Sequence, residues 1–222
     1  VRQDLLFWNG VGELISASEL KLLSTVKVFT NLTTTIMSLL KDVRVAILVT
    51  NGFEESELLE PKRALEKEGA EVFIISPEND HIKGWKNGNW SDEIKVDARV
   101  DQVSASNFDS LLLPGGVINP DLLRRDLASV AFVKSFFKDN KPVAAICHGP
   151  QMLIEAGVTN GRTLTSFESI RKDLENSGAH WVDEEVVVDQ GLVTSRSPKD
   201  LPAFNKKMVE EFREGKHAGQ SA

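Results

Sequence analysis

From residue 43 to residue 214 the chain switches repeatedly between two hydrophobic rhythms. Short, almost wholly apolar runs occupy residues 43–50, 71–76, 110–113 and 143–147. They are closed by Asn51-Gly52, Pro77, Pro114-Gly115-Gly116 and Cys147-His148-Gly149. Such runs predict strands buried on both faces, as in a parallel sheet. Between them apolar positions recur at helical spacing. Residues 55–68 set Leu58, Leu59, Ala64 and Leu65 on one side, with Pro61 at a start or a kink and Gly69 as the stop. Residues 121–139 predict a helix with Leu122, Leu127, Val130, Val133 and Phe137 facing inward. Residues 148–156 predict a helix that follows the fourth strand at once, and 201–214 a last one. Weaker strand signals lie at 162–165, 185–188 and 192–195, and the Gly-, Asn-, Lys- and Trp-rich stretch 81–90 reads as a hairpin or loop excursion. Strands alternating with helices predict an α/β fold, a mostly parallel sheet covered on both faces.

The first 36 residues do not join this rhythm. They begin at Val1, carry a polar Thr-rich patch at 30–35, and lack a basic start followed by a compact apolar core. Asp4, Glu13 and Glu19 fit a transit peptide poorly. Residues 1–36 are expected to be an extension of unknown role, ahead of a natural start at Met37 or packed on the surface or on a neighbouring subunit. Residues 37–222 form the domain, and its polar tail from Gly215 is expected to fray.

Composition narrows the function. A hydrophobic share of 41% over 222 residues supports a core that needs no disulfide. A net charge of -7 and a pI near 5.2 argue against a nucleic-acid backbone as partner. No apolar run reaches the ~18 residues a membrane span needs. The single cysteine excludes an intrachain disulfide and fits a reducing, cytoplasmic compartment. Neither a cofactor nor a metal site is expected.

In an open parallel sheet, ligands bind beyond the carboxyl ends of the strands. Three segments arrive at that edge: residues 52–57, Gly115-Gly116, and Cys147-His148-Gly149. The apolar run from Val143 to Ile146 leads directly into Cys147, and the small Gly149 follows. This is the pattern of a nucleophile elbow, in which a sharp strand-to-helix turn exposes a reactive side chain. A helix N-terminus there would lower the thiol pKa, so Cys147 is expected to be an activated thiolate rather than a small buried hydrophobe. The backbone N–H groups of His148 and Gly116 are candidates for an oxyanion hole. His148 is a candidate base, although neighbours in sequence diverge at a turn; the alternative is a surface histidine. Glu54, Glu55 and Glu57 have an ordinary reason to open a helix, since the macrodipole favours acids there. Glu57, and after it Glu54, is nevertheless placed beside the elbow, where a carboxyl could exchange protons with the thiol.

Five ordered segments resemble the ThiJ/PfpI superfamily, in its branch of intracellular proteases and protein deglycases. They begin at Val45 to Glu55, Leu113-Pro114-Gly115-Gly116 and Ala145 to Gln151. They continue at Glu185 to Asp189 and Thr194 to Phe204. The resemblance covers about Lys41 to Glu214 and implies a flavodoxin-like three-layer sandwich with a cysteine nucleophile elbow. It implies Cys147 as nucleophile, His148 as its partner, Glu57 close to the sulfur, and Asp121 of a neighbouring subunit completing the site of a dimer or hexamer. Where some relatives carry Tyr or His after the Thr-Ser pair, this chain has Phe167. The first 36 residues match nothing in the family pattern. The leading expectation is a stress-protective enzyme acting on small aldehydes or glycated amines, of deglycase or glyoxalase type. A cysteine peptidase is the second reading. A redox-sensing chaperone without turnover is the third.

Overall fold

The computed structural model describes residues 38–220 together with 6–8, 14–16 and Lys21. The Thr-rich patch and Met37 lie outside the described residues. The chain divides into two units, Val1–Leu39 and Leu40–Ala222. In the first, strand β1 (Leu6–Trp8) pairs antiparallel with β2 (Leu14–Ser16).

The second unit holds the sheet. Its strands are β3 (Arg44–Leu48), β4 (Glu71–Ser76), β7 (Ala98–Arg99), β8 (Ser110–Leu113), β9 (Val143–Ile146), β12 (Val186–Asp189) and β13 (Leu192–Ser195), in the order β12-β13-β9-β8-β3-β4-β7. Only the β12–β13 pairing is antiparallel. The apolar runs end on one edge for a simple reason. Each is buried on both faces, so each needs a helix to return the chain above or below the sheet before the next parallel strand. Two buried clusters result. One packs Phe132, Phe136, Phe137 and Leu153 against one face, and the other packs Phe53, Leu58, Phe204 and Phe212 against the opposite face. This is the three-layer α/β sandwich that the sequence pattern predicts.

Several boundaries differ from those expectations. The helix expected over 121–139 is two: α2 (Ile118–Leu123) and α3 (Leu127–Lys138). Asp126 restarts the chain as an N-cap, its carboxylate accepting the Ser129 N–H at 2.9 Å. The break shifts the helical phase. Leu122 and Leu127 are exposed, and Leu123, Phe132 and Phe136 face inward in their place. The strand signal at 162–165 is real, but β10 (Thr163–Leu164) pairs with β11 (His180–Trp181) outside the main sheet. The 81–90 stretch belongs to a longer hairpin, β5 (His81–Lys86) and β6 (Asn89–Lys95). The tail beyond α6 (Leu201–Glu214) does not fray before residue 220. His217 N–H donates to Asn140 O at 2.9 Å, and Gln220 is fully buried.

Among the described residues both clusters run from Leu40 to Phe212, and no strand of the main sheet precedes Arg44. A chain beginning at Met37 is therefore expected to melt within about 3 °C of the full chain by calorimetry. Insolubility or a much larger drop would assign part of the extension to the core.

Candidate active site

The carboxyl ends of β3, β8 and β9 deliver the three expected segments to one place. After β9 the chain turns through Cys147 with φ 61. That left-handed conformation is costly for a residue with a Cβ and persists only where its surroundings hold it. The holding contacts are specific: Cys147 N–H donates to Ser195 O, and Phe167 N–H donates to Cys147 O, each at 2.9 Å. The next residues form a tight turn, with Gly149 N–H on Ile146 O at 2.8 Å and Gln151 N–H on His148 O at 3.0 Å. The helix proper, α4 (Gln151–Ala156), starts only at Gln151. The helix expected from residue 148 is thus shorter, six residues long, and it begins beyond the thiol. A macrodipole acting on the sulfur is correspondingly small, because the effect falls off within a turn.

Helix α1 (Glu55–Lys67) carries Glu57, Leu58, Pro61 and Leu65 on its buried face. Glu57 therefore points into the protein from the same stripe as two leucines. Its Oε2 accepts the Gly115 N–H at 2.9 Å. Its Oε1 is buried and has no hydrogen-bond partner among the described residues. Gly115 is required at this approach. A Cβ there would lie 2.5 Å from Glu57 Oε2 and 2.7 Å from Cys147 Cβ. Asn119 holds the glycine turn. It is fully buried, donates to the carbonyls of Pro114 (2.9 Å) and Gly115 (3.1 Å), and accepts the Thr50 N–H at 2.8 Å.

The electrostatics of the pair follow from burial. Glu57 is fully inaccessible, and desolvation pushes its carboxyl from 4.5 up to about 8, against the opposing hydrogen bonds from Cys147 and Gly115. At neutral pH Glu57 thus holds its proton. The Cys147 thiol is also pushed up, first by burial and then by any charge on Glu57, while the N–H groups of Gly116 and His148 pull it down. This is a correction to the lowered thiol pKa expected from a helix N-terminus. Only the two backbone donors favour the thiolate, and Glu57 and the thiol titrate as a unit.

His148 Nδ1 lies 3.2 Å from Cys147 Sγ, despite the divergence expected of sequence neighbours. The positive φ at Cys147 swings the two side chains together. The opposite ring nitrogen, Nε2, lies 3.1 Å from Ser169 Oγ, and the ring stacks on Phe167 at 4.9 Å. Burial lowers the imidazole pKa, so the ring is neutral at pH 7. Asp121 is exposed on α2 and does not line the cysteine cavity of its own chain. Glu54 does line it, its carboxylate accepting the Ser56 hydroxyl at 3.1 Å.

Above the sulfur lies a cavity of about 420 Å³. Trp85, Val117, Ile118 and Phe167 give it apolar walls, and none of its lining residues is Lys or Arg. Ser169, Asn119 and Trp85 were not singled out from the sequence. Trp85 arrives by a long-range pairing of the hairpin with the loop after β3, its N–H donating to Phe53 O at 2.6 Å. Nothing local to Trp85 signals that. Asn119 lies two positions before Asp121, in the segment that the family resemblance marks.

A pH test follows from the raised carboxyl. Between about pH 4.5 and pH 8 the folded protein binds a proton at Glu57 that the unfolded chain has released. Stability should therefore fall as pH rises through this window, by up to roughly 1 kcal/mol per unit from this group. Glu57→Gln should flatten that slope in denaturant melts at pH 5 and pH 8. In the wild type the iodoacetamide alkylation rate of Cys147 should also show an inflection near pH 8 that the variant lacks. Identical profiles would reduce Glu57 to a bystander.

Comparison with known proteins agrees with this geometry. Residues 43–211 match the model of the DJ-1/PfpI family. General stress protein 18 of Bacillus subtilis is 49% identical over 75% of this chain and 95% of its own. Deglycase TK1284 of Thermococcus kodakarensis is 45% identical over 77% of this chain and 100% of its own. Among solved structures, a two-domain Anabaena variabilis protein with DJ-1/ThiJ/PfpI-like and ferritin-like domains superposes with a TM-score of 0.73 at 36% identity. The match covers 81% of this chain and 50% of that one. With a parallel sheet that delivers a strained cysteine against a buried glutamate, and with relatives this similar over most of its length, the chain belongs to the DJ-1/PfpI family.

Proposed function

We propose that this protein is a cysteine-dependent enzyme acting on small aldehydes or on the glycated amines they form. The observation that carries this reading is a buried carboxyl that holds its proton at neutral pH, set against a buried sulfur on the floor of a small cavity. The Cys147 thiol passes its proton to His148 Nδ1, 3.2 Å away, as the sulfur adds to an aldehyde carbon. The carbonyl electron pair moves to oxygen, which meets the N–H groups of Gly116 and His148 and takes the Glu57 proton. The product of this step is a hemithioacetal on Cys147. For a dicarbonyl, Glu57 or His148 then moves the proton from that carbon to its neighbour, giving a thioester. Water releases a 2-hydroxy acid and restores the thiol. A relative named as a deglycase over its whole length supports the reaction class.

A peptidase is the second reading. It is favoured by an adjoining cavity of about 860 Å³ that shares Phe167 and Ser169 with the cysteine cavity and leaves room for an extended chain. Acyl transfer would use the same cysteine and backbone donors.

The site also has a rim that a second copy would cover. Val117 is 66% exposed, and Ile118 and Leu122 project from the same short helix as Asp121. We propose that Asp121 of the partner subunit reaches His148 there and joins Ser169 in orienting the imidazole.

Wild type, Cys147→Ala and Glu57→Gln assayed on methylglyoxal, glycated amino acids and a peptide panel separate these readings. Turnover of the first two substrates should vanish in Cys147→Ala and fall at least about 100-fold in Glu57→Gln. Cleavage of peptides alone would favour the peptidase.

For the shared site, Cys147→Ala chains mixed with Asp121→Ala chains should regain part of the activity that each lacks. Full activity of Asp121→Ala alone would exclude a role for that carboxylate.

A further inference from the structure

The end of α6 gathers three side chains able to ligate a metal, on the far side of the sequence from the elbow. Glu211 and Glu214 lie one turn apart on the helix. Gly215 ends it with φ 78, and the chain folds back so that His217 returns to the same turn. One ligand atom from each of the three lies within 4.8 Å of the others.

Two features set this cluster apart from an ordinary surface ion pair. His217 Nε2 is 3.3 Å from Glu211 Oε2, yet it is shut off from solvent and makes no hydrogen bond. The nitrogen is thus close to a carboxylate oxygen without being hydrogen-bonded to it. Their spacing is also that of two ligands on one ion, since atoms each about 2.0–2.1 Å from a tetrahedral metal stand roughly 3.3 Å apart. The backbone that carries the imidazole is held in place. The His217 backbone N–H donates to Asn140 O at 2.9 Å, and the ring packs so close to Gly191 that a Cβ there would strike it at 2.6 Å. The nearby cation Lys207 is engaged by Glu210 at 2.6 Å and does not form an ion pair with Glu211.

We propose that Glu211, Glu214 and His217 form a binding site for a divalent transition-metal ion of the zinc type. One imidazole with two carboxylates suits zinc and its neighbours and is unlike the all-oxygen sets of magnesium or calcium. Three protein ligands leave the fourth position to water. The helix brings the two carboxylates into register, and the returning tail supplies the third ligand. The ion is therefore a latch. It ties the segment after Gly215, whose Gln220 carbonyl accepts a hydrogen bond from the buried Arg162, to the last turn of α6.

The test must keep zinc off the elbow, because Cys147, His148 and Glu57 offer a second set of ligands. Full-length Cys147→Ala protein, stripped with a chelator, is titrated with zinc chloride by calorimetry and melted with and without the ion. The expected result is one ion per chain at micromolar affinity and a melting midpoint raised by several degrees, since binding to the folded state alone stabilises it. Adding His217→Gln should weaken binding at least about tenfold and remove the thermal shift. Glu214→Gln, at an exposed position, gives the same comparison should the histidine variant fold poorly. Absence of binding up to about 1 mM zinc, or equal binding in Cys147→Ala with and without these changes, overturns the site.

Discussion

The carboxyl of Glu57 is buried against the sulfur of Cys147, and in so dry a place the two cannot both carry charge. Much of the surrounding architecture serves this pairing. The carboxyl needs a donor, and Gly115 N–H supplies it. The approach needs a residue without a Cβ, and a glycine stands there. The glycine turn needs an anchor, and the buried amide of Asn119 ties it to Thr50 at the end of the neighbouring strand. A buried acid that keeps its proton costs stability at neutral pH, and the apolar faces of two packed layers offset that cost.

The same constraint explains why the cysteine does not depend on a helix dipole. Helix α4 is short and begins beyond the thiol. The sulfur is met by individual groups, two of them backbone N–H donors and the others the Glu57 carboxyl and the His148 imidazole. Such donors are pre-positioned and cost no reorganisation when charge develops, which is how a fixed polar pocket stabilises an oxyanion or a thiolate. Phe167, at the position where some relatives carry Tyr or His, contributes by stacking on the imidazole. Orientation by a flat ring and by Ser169 Oγ replaces orientation by a charged partner within the chain.

The cysteine cavity and the acid–histidine cluster at the end of α6 draw on different parts of the fold. The cavity sits where parallel strands converge and their loops must close over an edge. The cluster sits where a helix ends and its tail folds back, a place where backbone carbonyls lack intrahelical partners and side chains are free to turn inward. Gly191 and Asn140 give the tail a surface to lie on, so a polar terminal segment is packed.

What the amino-acid order determined by itself was the layout. Fully apolar runs closed by Gly, Pro and Asn can only be buried parallel strands, and their ends had to share an edge. Cys147, Gly115-Gly116 and Glu57 were therefore legible as neighbours from elementary topology alone. Tertiary structure alone decided the rest. Helix phase after Asp126 turned on a cap that competed with an unbroken apolar pattern, so Leu122 and Leu127 were misplaced inward. Trp85 and Ser169 reach the cavity through pairings across tens of residues, which no local rhythm encodes. The direction of the thiol pKa was likewise beyond sequence. A motif reports which groups are adjacent, but burial and the protonation of a neighbouring acid set the sign of a pKa shift, and both exist only once the chain has packed.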